Sequence, residues 1–312
     1  MEKKSIVYVV IDIVIYVLVI GFGLALAFDA IPSITPFQRG FFCSDESITY
    51  PYKEDTVSTD LAAVLATVVP GAFIIAIEVF QRRSGFKFRK IVKPLYRHLG
   101  FYLFGEGLCI IVTEVVKLFS GRLRPHFLDV CQARFTSQNC SNGHQGYIEN
   151  YVCTNSNNEL LLNARKSFPS GHASMIIFSM SYLMIYLQFK IKSKYSVCRV
   201  FCPVVQTTLF CVALYVSISR VQDNMHHVTD VIGGGILGLA FSLYTVIYLT
   251  KLHKDTGYTS CSSNLENTAI QRYSTNKFSS HETDINLESS WNSVDSKQSL
   301  NLSQNSQVAI IS

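Results

Sequence analysis

Six apolar runs, each close to the length that a helix needs to cross a bilayer, constrain this chain of 312 residues more than any other feature. The hydrocarbon core of a bilayer is about 30 Å thick, which about 20 helical residues span. Backbone groups in lipid must be paired within their own segment, so helices are expected, and the alternating pattern of barrel strands is absent. The predicted spans are residues 6–28, 61–80, 101–119, 173–189, 201–219 and 231–250.

The composition supports a membrane protein over a soluble one. Charged residues make up only 16% of the chain, against about a quarter in a typical soluble domain, and the mean hydropathy is +0.25. The net charge of +5 comes from basic residues in short loops, which indicates membrane orientation and argues against a nucleic-acid partner. We predict an all-α membrane domain over 1–252 and a disordered cytoplasmic tail, rich in Ser, Asn and Thr, over 253–312.

Basic loops predict the orientation of the chain. Segments 81–99 and 190–199 are rich in Lys and Arg, Lys3 and Lys4 precede the first run, and the intervening loops are less basic or more acidic. Since basic loops stay cytoplasmic, both termini are predicted to be cytoplasmic.

Two features of the predicted outer loops agree with that orientation. Asn139 begins an Asn-Cys-Ser glycosylation sequon, although a three-residue pattern is a weak signal. Four cysteines, an even set suited to an oxidising compartment, fall in these loops, and the sequence leaves their three possible pairings open. They are Cys43, Cys131, Cys140 and Cys153.

Three polar clusters interrupt the apolar sequence. The predicted orientation uses none of their residues, yet it puts all three at the same outer face, where they can converge. The clusters are Lys117 with Arg124-Pro125, Pro169-Ser170-Gly171-His172, and Ser219-Arg220 with His226 and Asp230.

The first chemical implication of these clusters is a phosphate site. Lys117, Arg124 and Arg220 would repel one another if they met unpaired, and a dianionic phosphate would relieve that repulsion. Ser170 and Gly171 precede a predicted helix, whose free backbone N–H groups add an anion cradle. Such donors would stabilise the charge of a phosphoryl transition state.

The second implication is histidine chemistry. His226 and Asp230 are four residues apart, so they share a helix face if the sixth helix begins early enough, and the carboxylate can then orient the imidazole as a nucleophile. His172 can protonate the leaving alkoxide and then activate water. His227 lies three residues before Asp230 and is nearly as suitable a nucleophile, so the spacing prefers His226 only slightly.

Each of these residues also has an ordinary structural explanation, such as a snorkelling cation or an interfacial histidine. The combination, in order and on one face, favours the catalytic interpretation. Because Asp230 is the single carboxylate in the clusters, we predict no metal site, no cofactor and no magnesium requirement. Ionisable residues also lie within the spans. Glu114 can form an ion pair with Lys117, and a structural role is the better explanation for Asp12.

The three clusters match the motifs KxxxxxxRP, PSGH and SRxxxxxHxxxD, and the chain therefore resembles the type 2 phosphatidic acid phosphatase superfamily. Further stretches, at 36–43, 50–55, 121–131 and 146–149, resemble the animal lipid phosphate phosphatases in particular. The resemblance covers roughly residues 1–252.

This resemblance implies a helical core of the superfamily type with its active site on the extracellular or lumenal face. It implies that His226 is the nucleophile, His172 the general acid and base, and Asp230 the residue that orients His226. It implies phosphate contacts from Lys117, Arg124, Ser170, Gly171, His172 and Arg220. Family members hydrolyse phosphatidic acid, lysophosphatidic acid, sphingosine 1-phosphate and ceramide 1-phosphate without magnesium. They act at the plasma membrane or in endomembranes, and the plasma membrane is the first expectation for this chain. Family members often form homo-oligomers, and the oligomeric state of this chain stays open.

Three alternatives remain at the sequence level. A related subgroup has lost catalytic residues and acts without hydrolysis, but every motif position is intact here. A related phosphatase could act on a sugar phosphate or a polyprenyl diphosphate. A transporter would place buried charges near the membrane midplane in broken helices, whereas these motifs lie near one interface.

Overall fold

The computed structural model describes residues 3–27, 30–31, 33–82, 88–133, 146–192 and 200–252. The predicted glycosylation of Asn139, the pairing of Cys140 and the disorder of the tail at 253–312 lie outside these residues and stay predictions.

The described residues are mostly helical. Nine α-helices are α1 Lys3–Ala27, α2 Thr59–Phe80, α3 Phe88–Leu95, α4 Phe101–Ser120, α5 Phe127–Cys131, α6 Asn158–Asn163, α7 Gly171–Leu187, α8 Phe201–Gln222 and α9 Val228–Tyr244. Single π-helical segments adjoin α3, α7 and α9 at Tyr96–Gly100, Gln188–Lys192 and Thr245–Thr250. Two short strands, β1 Phe41–Phe42 and β2 Tyr147–Ile148, pair antiparallel.

Six helical stretches of the described residues are long and apolar enough to cross a membrane, which confirms the predicted number. They are Val10–Ala27, Thr59–Phe80, Ile91–Ser120, Gly171–Lys190, Phe201–Gln222 and Val228–Thr250. Large apolar side chains such as Val17, Leu18 and Ile236 point outward, 65%, 65% and 66% exposed, as expected for lipid-facing positions. The chain is a multi-pass membrane protein.

The third span begins earlier than the sequence suggested. Residues 88–100 were expected to belong to a basic loop, but they are helical and run directly into α4. The segment packs inward: the His98 ring is buried 3.6 Å from a Glu78 carboxylate oxygen, and the Tyr182 hydroxyl donates to the His98 carbonyl at 3.1 Å. Tyr96 donates to Asp12 of α1, which gives that intramembrane carboxylate a structural partner. These internal partners let a polar segment continue as a helix.

Helix α7 lies at the centre of the bundle and contacts α2, α4, α8 and α9. Its contact with α9 is close because α9 carries glycines at the interface. A Cβ at Gly234 would lie 2.4 Å from the Ser170 carbonyl oxygen, and one at Gly238 would lie 2.3 Å from the Ser174 carbonyl oxygen. Small residues allow such close approach of helices. The contact brings the N-terminus of α7 against the N-terminus of α9.

We call the end of the bundle where α4 and α8 end and α7 and α9 begin the motif end. A small cap of α5, α6 and the β1–β2 pair covers it, and a disulfide between Cys131 and Cys153 joins two parts of that cap. Cys43 is also disulfide-bonded. At Gly121, φ is 51° and a Cβ would lie 2.1 Å from the Phe37 carbonyl oxygen, so the turn that leaves α4 requires glycine.

Candidate functional site

A cavity of about 720 Å³ opens at the motif end, and all three sequence motifs contribute to its wall. Each motif reaches it from a different element, because α4 ends, α7 begins and the α8–α9 turn passes at this level. The predicted site residues that line it are Lys117, Arg124, Gly171, His172, Arg220 and His226.

Two predicted site residues, Ser170 and Asp230, lie behind the cavity wall. Both are fully buried, and the Ser170 N–H donates to the Asp230 carbonyl at 3.0 Å. The Ser170 hydroxyl caps α7 by accepting from the Ala173 N–H at 3.5 Å. Its side chain therefore supports the helix start, and its neighbour Gly171 forms the surface of the cavity.

Lys117 lies against that helix start. Its ammonium is 2.6 Å from a Glu114 carboxylate oxygen, so the ion pair that the spacing suggested is formed. A Cβ at position 171 would lie 2.8 Å from the lysine Nζ, so glycine lets the ammonium approach the helix start closely. The positive end of the α7 dipole and the ammonium thus face the same space, which suits an anion.

Arg124 has polar partners but no carboxylate within ion-pair distance among the described residues. Its guanidinium donates to Asn163 Oδ1 at 2.6 Å and to Met225 Sδ at 3.3 Å. Burial lowers the pKa of Arg124 to about 10, and the nearby Arg220 adds to that effect while Asp55 opposes it. The group therefore stays charged at neutral pH.

Arg220 is 1% exposed and lies between two carboxylates. One guanidinium nitrogen is 3.0 Å from Asp55 Oδ1, and the other is 2.5 Å from Asp223 Oδ2. The Glu114 partner of Lys117 was expected from the sequence, and the two carboxylates on Arg220 were not. Lys117 and Arg220 thus both have internal counter-ions. The reason is physical, since a buried cation without a partner costs several kcal/mol.

Three buried donor or acceptor atoms of the site have no hydrogen-bond partner among the described residues. They are Nε of Arg124, Nε of Arg220 and Nε2 of His172. A buried polar atom left unsatisfied costs about 1–3 kcal/mol. All three residues line one cavity, so their buried, unsatisfied atoms lie near the space that an oxyanion would occupy.

His226 is held through a main-chain carbonyl. Its Nδ1 lies 2.7 Å from the Ser167 carbonyl oxygen, which can only accept, so Nδ1 carries the proton and Nε2 keeps its lone pair. The distance from Nδ1 to Asp230 Oδ2 is 3.9 Å, too long for a hydrogen bond. The expected shared helix face is not formed because α9 begins only at Val228, with His227 as its N-cap.

Asp230 instead organises the segments around His226. Its Oδ2 accepts from the Ser167 hydroxyl at 2.6 Å and from the His227 N–H at 2.9 Å, as an acidic N3 residue does in a capping box. Its Oδ1 accepts from Arg122 at 2.6 Å. The carboxylate thus acts on the His226 ring by fixing the residue whose carbonyl holds it.

The electrostatic surroundings keep His226 neutral at physiological pH. Its pKa is lowered to about 3, chiefly by burial and in smaller part by Arg124 and Lys117, whereas Asp230 opposes the shift. A neutral imidazole with a free Nε2 lone pair is the form that a nucleophile requires.

The neighbouring His227 belongs to a different surface. Its Nε2 lies 3.0 Å from the Leu123 carbonyl oxygen, and its ring lines a separate cavity of about 540 Å³ beside Arg122. Spacing alone hardly separated the two histidines, whereas their positions in the fold do.

Sequence reasoning missed four residues that shape the site: Asp55, Arg122, Ser167 and Asp223. Asp223 follows Arg220 by three positions, a helical ion-pair spacing that could have revealed it. Among the described residues, no group of three or more His, Cys, Asp or Glu side chains could hold a metal ion. Magnesium independence stays a prediction.

Below the cations part of the cavity wall is apolar, beside the polar Thr113 and Ser174. The apolar part includes Leu24 of α1, Ala63 of α2 and Ile110 of α4, and the cavity ends near Thr67 and Glu106. About 11 residues of helix rise between Glu106 and Lys117, or roughly 16 Å. The cavity therefore offers a charged end at the motif end and an apolar length inside the bundle.

Comparison with known proteins finds relatives over most of the chain. The sequence profile of the PAP2 superfamily matches residues 98–254. The chain is 38% identical over 265 residues to phospholipid phosphatase 1 of Rattus norvegicus, covering 82% of this chain and 89% of that protein. It is 37% identical over 238 residues to phospholipid phosphatase 2 of Rattus norvegicus, covering 74% and 83%. No solved structure matches the chain.

Proposed function

The chain belongs to the PAP2 superfamily and is a membrane phosphatase, and from this premise we propose a specific reaction for it. It hydrolyses lipid phosphomonoesters, namely phosphatidic acid, lysophosphatidic acid, sphingosine 1-phosphate and ceramide 1-phosphate, to the dephosphorylated lipid and inorganic phosphate. The reaction needs no magnesium, proceeds through a phosphohistidine, and takes place on the extracellular or lumenal face.

One observation carries this proposal: cationic side chains with unsatisfied buried donors line the same cavity as a histidine with a free ring nitrogen. The relatives named phospholipid phosphatase support a lipid phosphate as the substrate. The apolar length of the cavity supports the same class, because it can hold a hydrocarbon chain while the phosphate meets the cations.

In the first step, His226 Nε2 attacks the phosphorus and the bond from phosphorus to the lipid oxygen breaks. Arg124, Arg220 and Lys117 hold the equatorial oxygens, whose charge grows in the transition state. His172, whose charged form the bound phosphate dianion favours, gives its proton to the leaving alkoxide. The products of this step are the lipid alcohol and a phosphorylated His226.

In the second step, the now neutral His172 takes a proton from water, and the resulting hydroxide attacks the phosphorus. The bond from phosphorus to His226 Nε2 breaks and inorganic phosphate leaves. The His226 Nδ1–H stays on the ring and donates to the Ser167 carbonyl in both steps. This carbonyl, with Asp230 behind it, stabilises the positive charge of the phosphorylated His226 ring until the bond from phosphorus to Nε2 breaks.

The loops support an orientation for the enzyme. The positive-inside pattern favours cytoplasmic termini and an outward-facing motif end. The resemblance to the animal lipid phosphate phosphatases favours the plasma membrane first and endomembranes second. Glycosylation at Asn139 would fit the same orientation.

The test is phosphate release from phosphatidic acid by purified protein in detergent micelles that contain EDTA. His226→Ala should lower kcat by about 1,000-fold or more, while the matched control His227→Asn, which keeps an N-cap residue, should retain most activity. Activity lost in EDTA and restored by magnesium would refute the metal-independent reaction.

The intermediate has its own test. Substrate labelled on phosphorus, quenched in alkali, should leave label on wild-type protein, because phosphohistidine survives alkali and is lost in acid. His226→Ala should take up none. A wild-type protein that releases no phosphate from any of the four lipids would instead favour the catalytically silent alternative.

A further inference from the structure

The loop at residues 50–56 is fastened over the cavity by contacts to distant parts of the chain. We call it the strap. Its anchors reach the segment after Arg124 on one side and the end of α8 on the other. They are Tyr50 N–H to the Pro125 carbonyl at 2.9 Å, Tyr52 N–H to Asp129 at 2.8 Å, Lys53 Nζ to the Gln222 carbonyl at 3.0 Å, Thr56 hydroxyl to Asp223 at 2.6 Å, and Asn224 side chain to the Pro51 carbonyl at 2.9 Å.

The strap places one negative charge inside the site. Asp55 lines the cavity, and its Oδ1 lies 3.0 Å from a guanidinium nitrogen of Arg220. Asp223 already occupies the other nitrogen of that group at 2.5 Å. The nitrogen beside Asp55 is thus where a substrate oxygen would bind, and an internal carboxylate occupies it.

The two carboxylates on Arg220 differ in how firmly they are held. Asp223 is 5% exposed and also accepts from the Thr56 N–H and hydroxyl at 2.9 and 2.6 Å, so moving it would undo the strap. The Asp55 side chain is 30% exposed, and Arg220 is its one ion-pair partner among the described residues. Asp55 can therefore leave while the anchors of the strap stay in place.

We propose that Asp55 is a specificity-determining residue: it holds Arg220 until a phosphomonoester dianion displaces it, and it keeps phosphodiester headgroups out. This inference rests on the proposed function. A phosphomonoester dianion replaces the single negative charge of Asp55 at Arg220 with two charges, so the electrostatic attraction increases. A phosphodiester monoanion replaces one charge with one, so the attraction changes little.

Such competition matters because of where the site lies. The bulk lipids of a membrane are phosphodiesters, present in large excess over any phosphomonoester, and their chains could enter the same apolar length of the cavity. Cations alone would bind both classes. Discrimination can come from an element that penalises the wrong ligand as well as from one that favours the right one.

The test is Asp55→Asn in mixed detergent micelles, with two measurements. Inhibition of turnover by inorganic phosphate should be about fivefold stronger in Asp55→Asn than in the wild type, each relative to its own uninhibited rate, since an exposed ion pair is worth up to about 1 kcal/mol. Phosphatidylglycerol, a phosphodiester monoanion, should inhibit Asp55→Asn and leave the wild type nearly unaffected. Glu54→Gln is the matched control, because it removes a neighbouring exposed charge of the strap and should change neither value.

A merely structural carboxylate would give the opposite sign. Loosening the strap would weaken phosphate binding, so unchanged or weaker inhibition by phosphate in Asp55→Asn overturns the assignment. Asp55→Glu, which keeps the charge, should behave like the wild type. If Asp55→Asn does not fold, Asp55→Ser takes its place and should show the same stronger inhibition by phosphate. Absence of turnover in the wild type would defeat the proposed function itself, and direct calorimetry of phosphate binding would still decide the role of Asp55.

Discussion

The two ends of the helical bundle both bury cations, but they neutralise them in different ways. At the end opposite the motifs, Glu78 is fully buried and gathers its partners around one carboxylate. Lys190 lies 3.4 Å from it, the Tyr186 hydroxyl donates to it at 2.8 Å, and Arg82 pairs with its second oxygen. This cluster contains its own anion.

At the motif end the ion pairs are interrupted by a cavity. Arg124 has no carboxylate partner among the described residues, and Nε of both Arg124 and Arg220 is buried without a hydrogen bond there. The comparison shows that a buried charge identifies a binding site only together with space and unsatisfied atoms. Buried charge that is paired with its own anion and lines neither the cavity of about 720 Å³ nor the one of about 540 Å³, as around Glu78, is assigned to the fold.

The largest effect should come from removing a cation at the motif end. Arg220→Gln should lower kcat/KM by about 1,000-fold, because the lost guanidinium stabilises charge that grows in the transition state. Thermal unfolding of the purified variant checks that the fold survives. Arg39→Gln removes an exposed arginine of the same end and should leave kcat/KM unchanged. An equal loss of kcat/KM in Arg39→Gln would mean that the Arg220 result reflects the overall surface charge and not a specific contact.

A smaller effect, on stability instead of catalysis, should follow from Glu78→Gln. Removing one partner of a buried charge cluster leaves the others uncompensated and should cost about 3 kcal/mol, the low end of such effects because Arg82 is 27% exposed. Denaturant unfolding in detergent measures the cost. Activity per folded molecule should stay at the wild-type value; a selective loss of kcat would break the contrast between the two ends.

The smallest of the three effects concerns pH. The folded-state pKa of His226, about 3, lies below the unfolded value near 6.5, so the unfolded chain takes up the proton first. Above about pH 6.5 His226 is neutral in both states and does not lower the free energy of unfolding. As the pH falls from about 6.5 towards 3, protonation of the unfolded chain lowers that free energy. Between about pH 7 and pH 5 the loss should be about 2 kcal/mol.

His226→Gln should remove that part of the pH dependence, measured by unfolding at several pH values. Inorganic phosphate should reduce the loss in the wild type, because an anion beside the ring favours the charged imidazolium. If phosphate had no influence on the acid limb, His226 would not face the anion site.

The sequence was informative wherever the determining signal is local. Hydropathy predicted six spans because each run is continuous, and the basic loops put the three motifs at one end. The third span was predicted to begin later than it does. The polar segment near His98 is helical because it contacts Glu78 and Tyr182, which are distant in sequence.

The missing parts of the site depend on long-range or main-chain contacts. Thr56 and Asp223, which fasten the strap, are 167 positions apart. Ser167 holds His226 through a carbonyl, a group that every residue has, so no residue type could indicate it. Asp230 was predicted to contact His226 directly, whereas in the structure it bonds to Ser167, whose carbonyl holds the His226 ring.

The apolar length of the cavity, between Leu24, Ala63 and Ile110, has a consequence for how the reaction is driven. A lipid alcohol released there remains dissolved in the bilayer, while inorganic phosphate departs into water. The two products enter separate phases, so they seldom meet again and resynthesis is suppressed. The rate then follows the mole fraction of substrate within the plane of the membrane, and inert lipid slows turnover even when the amount of substrate per volume is unchanged.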